Sequence, residues 1–149
     1  MSYLAMPVVL DISSSATIAA SATPQLLTLP DTNQSINADY NSATGVITIK
    51  QAGTYFFSFQ FMVTSLLSGR ISYYPEVDTG AGFATIPKSC RTDVVQILTS
   101  KLISFGASRY FKEGDRLRGY IFGTGYTLQA ITPVNSPVEC PAVRILMSS

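Results

Sequence analysis

The sequence predicts an all-β protein, folded as an antiparallel sandwich. Its clearest sign is the stretch from Tyr55 to Val63, where large apolar side chains occupy alternate positions. Spacing with a period of two places these side chains on one face of a β-strand, and that face must be buried. Turn residues recur about every 8 to 12 positions, and no segment of convincing helical periodicity interrupts them. Together these observations favour one β-sandwich domain.

The first 30 residues form a separate N-terminal segment in this interpretation, and residues 31–149 form the sandwich. The short apolar run Pro7–Ile12 is typical of an edge strand. The run SSSATIAASAT follows, with Ile18 as its one large side chain. Burial of so few side chains cannot offset the entropy lost by ordering the backbone. This run is therefore either a loop or an arm that orders against another surface, and we expect residues Ser2 to Thr28 to be mobile in the isolated protein.

Short strands and turns lie on either side of the aromatic stretch. Leu26–Leu29 has the pattern of a short strand, and Asp31–Asn33 has the composition of a turn. Within Tyr40–Val63 the sequence predicts two strands joined by a glycine turn. Arg70–Val77 alternates again and ends at Asp78–Gly82, a glycine-rich hairpin tip.

The second half of the chain continues this pattern. Val94–Phe105 predicts one long strand, because its β-branched and aromatic residues favour a strand over a helix. Beyond a turn at Gly114–Asp115, the segment Arg116–Phe122 alternates between two faces. Tyr126–Ile131 predicts a further strand, and Val143–Met147 closes the core. The side chains expected to point into the sandwich from Arg116–Phe122 are Leu117, Gly119 and Ile121.

The composition is rich in apolar residues and poor in charge. Hydrophobic residues make up 46% of the 149 residues and charged residues 13%, about half the usual charged fraction. Such an excess predicts subunit contacts or a very large core, because apolar surface left in water promotes association. The 10 basic and 9 acidic residues are spread along the chain, so we expect no nucleic-acid partner. No apolar run approaches the ~20 residues of a membrane-spanning helix, so we expect no membrane partner.

The residue types that usually carry catalysis are missing. The chain has no histidine, the most frequent acid–base group near neutral pH. The closest carboxylate pairs, Glu76/Asp78 and Glu113/Asp115, lie at predicted turns, where they normally face water. A Ca²⁺ site among Asp78, Glu113 and Asp115 is the alternative, since calcium prefers oxygen ligands, but no ligand spacing supports it. We expect no enzymatic activity, no cofactor and no metal.

Cys90 and Cys140 leave two alternatives open, a disulfide or two reduced, buried thiols. The stretch at Met1–Ser15 has neither the basic start nor the apolar core of a secretory signal. A protein made without export more often keeps its thiols reduced. We therefore expect free thiols and synthesis in the cytoplasm.

A set of motifs stands in the order found in a known family. They resemble the trimeric jelly rolls of the tumour-necrosis-factor and complement-globular-head type, and the resemblance spans roughly residues 36 to 147. The matching stretches are NSATGVI at 41–47, AGTYFFS at 52–58, FKEGDRL at 111–117 and PAVRILM at 141–147.

This resemblance implies an antiparallel jelly-roll sandwich that assembles as a homotrimer. It implies that Arg116–Phe122 is an inner strand whose outward side chains lie beside those of Tyr55–Val63. The outward side chains of both strands would then face the three-fold axis. The predicted trimer interface consists of Phe56, Gln60, Met62, Arg118, Tyr120 and Phe122.

The function expected on these grounds is structural. The leading hypothesis is a capsid decoration, or cement, protein of a tailed bacteriophage, made in the host cytoplasm, which forms trimers on the virion surface and stabilises the capsid. Its partner would be the major capsid protein, contacted by the arm through Val8, Leu10 and Ile12 by strand addition. A start at Met1 without export signal, stalk or coiled-coil heptads favours this hypothesis. The alternatives are a receptor-binding head of a phage tail fibre or spike and, less favoured, a secreted cytokine-like or complement-like binding domain.

Overall fold

Two antiparallel sheets, packed face to face, make up the structure. It is a computed structural model that describes residues 7–65, 68–96, 99–132 and 134–149. Every regular element in these residues is a β-strand, and the strands fall into two sheets of seven. The prediction of an all-β antiparallel sandwich is therefore confirmed.

The first sheet, sheet A, is built around one long strand. Its strands are β1 (Val8–Ser14), β2 (Ile18–Ala19), β4 (Asp31–Ser35), β7 (Gly53–Ser65), β11 (Thr99–Phe111), β13 (Thr127–Leu128) and β14 (Val143–Ser148). Strand β11 pairs along the whole length of one side of β7, whereas β14 and β13 share the other side. Strand β1 lies between β14 and β4. The edge on one side of β7 is thus β11, and the edges on the other side are β4 beyond β1 and the short β2 beyond β13.

The second sheet, sheet B, covers the inner face of the first. Its strands are β3 (Gln25–Leu26), β5 (Ala38–Asn41), β6 (Val46–Ile49), β8 (Gly69–Asp78), β9 (Phe83–Thr85), β10 (Arg91–Val95) and β12 (Arg116–Thr124). Its main path runs β10, β8, β12, β6 and β5, with β3 paired to β12 and β9 to β8.

The core lies between the sheets and is rich in aromatic rings. The alternating side chains of β7, namely Tyr55, Phe57, Phe59, Phe61 and Val63, are all buried, as predicted. Phe57 meets Phe59 edge to face, with ring centres 6.0 Å apart, and Phe61 reaches across to Tyr73 of β8 at 4.8 Å. Such offset and edge-on contacts are the favourable geometries for aromatic pairs. The predicted inward positions of β12 are confirmed, because Leu117 and Ile121 are fully buried.

Strand β1 corrects the prediction of a mobile N-terminal arm. Leu10 and Ile12 have no exposed surface and pair with Met147 and Ile145 of β14. Hydrogen bonds to neighbours on both sides make β1 an internal strand instead of an edge strand. The run of small residues that follows β1 connects strands of the same sandwich. The part of the predicted arm before Pro7 lies outside the described residues.

Other element boundaries also differ from the prediction. Asp31–Ser35 is a strand, although its composition is that of a turn, because it adds to the free side of β1. The single long strand predicted at Val94–Phe105 is instead two strands, β10 and β11, which belong to different sheets. Residues 97 and 98 of that segment lie outside the described residues. Backbone pairing with strands that are distant in the sequence decides these boundaries. Local composition does not reveal such pairing.

Candidate functional site

The outward face of sheet A carries an uncharged surface on its two longest strands. Strands β7 and β11 pair without interruption from Gly53 opposite Phe111 to Ser65 opposite Thr99. Phe56, Leu102 and Tyr110 on this surface are 38%, 57% and 58% exposed. Its central residues, called here the β7–β11 face, are Thr54, Phe56, Ser58, Gln60 and Met62 of β7 and Leu102, Ser104, Gly106, Ser108 and Tyr110 of β11. Exposed apolar side chains concentrated on one face indicate an interaction site.

Gly106 shapes this face. The ring of Phe56 lies so close that a Cβ atom on Gly106 would stand 2.6 Å from the ring carbon Cζ. Only glycine leaves room for the ring to lie across the neighbouring strand. The ring thereby covers the backbone of β11 and leaves a flatter apolar surface.

One ion pair borders the face on the side of β1 and β14. The Arg144 guanidinium donates to both carboxylate oxygens of Asp11, at 2.9 Å from Nε and 2.7 Å from Nη2. Hydrogen bonding to Arg144 lowers the pKa of Asp11, and the same contact raises the pKa of Arg144. This two-point geometry is the strong form of an arginine–carboxylate contact, and it neutralises both groups.

A second surface, on the outward face of sheet B, combines aromatic rings with arginine. Tyr74 of β8 stacks on Tyr120 of β12 with ring centres 5.4 Å apart, and Phe122 meets Tyr74 edge-on at 6.1 Å. The Arg118 guanidinium lies 3.8 Å above the centre of the Phe83 ring. It also pairs with Glu76 of β8 at 2.8 Å. The guanidinium of Arg118 therefore interacts with groups of its own chain, a carboxylate and an aromatic ring.

The structure separates the predicted trimer-interface residues into two groups. Phe56, Gln60 and Met62 lie on the β7–β11 face, whereas Arg118, Tyr120 and Phe122 lie on the opposite side of the molecule. The expectation that the outward side chains of β7 and β12 lie beside one another is wrong, because β12 pairs with β8, β6 and β3, and none of these strands belongs to sheet A. Contact of either group with another copy stays a prediction.

Two apolar members of the β7–β11 face are absent from the prediction. Both come from β11: Leu102 lies within the predicted strand Val94–Phe105, whereas Tyr110 lies beyond its predicted end. The signal that could have found them is the alternation of LISFGASRYF, where Leu102, Ser104, Gly106, Ser108 and Tyr110 share one face.

Carboxylates at the predicted turns accept hydrogen bonds from backbone amides. Asp78 accepts hydrogen bonds from the amides of Gly80 and Gly82 at 2.8 Å and 3.1 Å, and it also pairs with Arg116. The Gly80 amide is the main reason that the pKa of Asp78 is lowered. Asp115 accepts from the Lys112 amide at 2.9 Å. In the described part of the chain, no group of three or more acidic, cysteine or histidine side chains is placed to hold a metal ion.

One phenol and two thiols are further groups that could carry chemistry. Burial raises the pKa of Tyr73 to about 12, so its phenol stays neutral at ordinary pH. Cys90 and Cys140 are free thiols, and Cys90 is exposed, which corrects the expectation that both are buried. Within the described ranges, no helix has the length and apolar character to cross a membrane.

Comparisons with known proteins identify the fold. No protein-family model and no curated protein matches the sequence. The globular domain of the zebrafish complement 1qA protein is similar with a TM-score of 0.63 and 19% identity, over 95% of each chain. Eiger, a TNF from S. frugiperda, gives 0.60 and 13%, over 96% of this chain and 93% of its own. Murine APRIL gives 0.62 and 8%, over 95% and 98%. The chain therefore has a jelly-roll fold of the kind found in these proteins.

Proposed function

We propose that this chain is a non-enzymatic binding domain that assembles with copies of itself, as a homotrimer, through the β7–β11 face. The observation that carries the proposal is the exposure of Phe56, Leu102 and Tyr110 on two long strands that present no outward charge. Interface centres are depleted in charge and enriched in aromatic residues. The likeness in fold to complement and TNF domains agrees with this role.

Leu102 gives the direct test of the assembly. The variant Leu102→Asp would place one carboxylate in each subunit within the apolar contact, where burial of an unpaired charge is strongly unfavourable. We expect the wild-type protein to sediment as a trimer at micromolar concentration and the variant as a folded monomer. Analytical ultracentrifugation measures both.

Val94 provides the matched control. It is 56% exposed, almost the same as Leu102 at 57%, but it lies on β10 at the edge of sheet B. Val94→Asp should therefore leave the trimer intact. A monomeric wild-type protein would contradict the proposal, as would equal loss of assembly in both variants.

In its narrower form, the proposal assigns the trimer to the surface of a tailed bacteriophage capsid, with the major capsid protein as partner. The low charged fraction, 13%, supports a role in a closely packed particle. Because β1 is internal, Val8, Leu10 and Ile12 would not provide the contact. The aromatic surface of sheet B, on the side opposite the β7–β11 face, would then meet the capsid.

Binding to particles tests this narrower form. Wild-type protein should sediment with capsids, whereas Tyr120→Ala should assemble normally but fail to do so. Absence of capsid binding would favour the alternatives, a fibre or spike head or a secreted cytokine-like or complement-like ligand.

A further inference from the structure

Charge is unevenly distributed across sheet A. Its strands carry five charged residues, of which Asp11 and Arg144 neutralise each other. The remaining basic residues, Lys101 and Arg109, both lie on the β11 edge. The remaining acidic residue, Asp31, lies on the β4 edge. These two edges of the sheet therefore have opposite charge.

The β4 edge also forms a pocket. A cavity of about 360 Å³ lies beside Asp31 and is lined by Asp11, Ser13, Asn33, Glu139 and Arg144, among others. Asp31 and Glu139 are exposed, and within the described residues neither forms an ion pair. Their carboxylates leave the pocket with unpaired negative charge. We call it the acidic pocket.

On the opposite edge, Lys101 is the available cation. It is exposed and has no ion pair in the part of the chain that the structure describes. Arg109 is different, because its guanidinium is half-buried and lies 5.9 Å from the centre of the Phe111 ring. Lys101 can therefore extend toward another molecule, whereas Arg109 is held against its own sheet.

The two edges are aligned along the strands. The pairing register runs from Asp31 through Ser13, Arg144 and Gln60 to Ser104 of β11. Lys101 stands three residues from Ser104, about 10 Å along the strand. An extended lysine side chain can span part of this distance. The acidic pocket and Lys101 thus lie at similar positions along the strand direction, on opposite edges of the sheet.

We propose that Lys101 of one copy enters the acidic pocket of the next copy, so that the assembly is a closed head-to-tail ring. This inference rests on the proposed self-association. When the outward faces of sheet A surround a common axis, the β11 edge of each copy meets the β4 edge of its neighbour. Such a contact joins two different surfaces and closes into a ring if the rotation permits. The pocket is complete only when a second copy supplies its cation.

A charge exchange tests the pairing. Lys101→Glu and Asp31→Lys each place like charges opposite each other at every contact, which is unfavourable. At low salt, each variant should raise the dissociation midpoint of the assembly about tenfold or more. The double variant restores opposite charges and should return to within about threefold of wild type. High salt should reduce all these differences, because it screens exposed charges.

Lys88→Glu is the matched control, since it makes the same change at an exposed residue outside sheet A. It should leave the dissociation midpoint unchanged. Additive weakening in the double variant would overturn this inference while leaving self-association in place. A monomeric wild-type protein would overturn both.

Cross-linking gives an independent measure of ring closure. In a chain with Cys90→Ser and Cys140→Ser, the pair Lys101→Cys and Asp31→Cys should be joined by a short bis-maleimide into covalent trimers. A two-fold contact between these edges would stop at covalent dimers, and that result would overturn the head-to-tail ring.

Discussion

Gly119 of sheet B lies close to an aromatic ring of sheet A. A Cβ atom there would stand 2.8 Å from ring carbon Cε1 of Phe59, which belongs to the opposite sheet. Gly119→Ala should therefore lower the free energy of unfolding by about 1–3 kcal/mol, the usual cost of overpacking a core. Urea denaturation measures the loss.

Gly53→Ala is the control for this effect, because the nearest atom to its Cβ position, Cε2 of Tyr55, is at an ordinary 3.7 Å. In a Phe59→Leu background the cost of Gly119→Ala should shrink, since the ring that blocks the Cβ atom is gone. A cost that stays the same in that background would show that the ring is not its cause.

Asp11 predicts how stability changes with pH. Because hydrogen bonding to Arg144 lowers its pKa in the folded state, the carboxylate stabilises the fold at pH values above its unfolded pKa of about 3.9. That contribution is lost as the pH falls through the lower, folded-state pKa. Asp11→Asn should cost about 1–2 kcal/mol at pH 7 and almost nothing near pH 2. Thermal or urea unfolding at the two pH values measures the difference.

Asp39→Asn should behave differently, because the pair of Asp39 with Lys50 is exposed, with side-chain exposures of 66% and 53%. Exposed pairs contribute only a few tenths of a kcal/mol in many proteins. Equal effects of the two substitutions at pH 7 would contradict the special role given to Asp11.

At the scale of elements, strand β1 is part of the folded core. Its Leu10 and Ile12 are fully buried, and it joins β14 to β4. Deletion of residues 1–14 would uncover the core, leave β4 without the strand it pairs with and free one side of β14, a loss comparable to the 5–15 kcal/mol stability of a whole domain. The shortened chain should show no cooperative thermal unfolding by circular dichroism.

A milder substitution keeps this prediction testable if the shortened chain aggregates. Ile12→Ala should leave a folded protein whose free energy of unfolding is lower by about 2–5 kcal/mol. Cooperative unfolding of the deletion variant at the wild-type temperature would instead restore the idea of a dispensable arm.

The sequence predicts the elements with strong local patterns and not those fixed by pairing. The alternation of β7 and the inward positions of β12 follow from spacing with a period of two. Strand β4 does not, because DTNQS is polar throughout and is a strand only where β1 offers a free edge. The break between β10 and β11 is likewise decided by the sheet to which each half belongs.

At the scale of the whole molecule, the sequence pattern does not show how the residues of the candidate site are placed relative to one another. Alternation shows that Phe56 and Tyr120 point away from the core, but it does not show to which sheet each strand belongs. The two residues therefore look equivalent in the sequence and lie on opposite sides in the structure. The opposite charges of the β11 and β4 edges of sheet A are equally invisible in a net charge of +1.

The pairing of β1 with β14 also bears on how the chain reaches this structure. Strand β14 lies between β1 and β7, so the centre of sheet A stays open until β14 has been synthesised. A nascent chain that does not yet include β14 therefore cannot complete this sheet, whatever the local preference of its earlier strands. Folding that depends on contacts between distant residues is slow, on the order of milliseconds to seconds. During that interval the sides of β7 and β1 that β14 will occupy are unpaired, and the newly made protein is most vulnerable to aggregation.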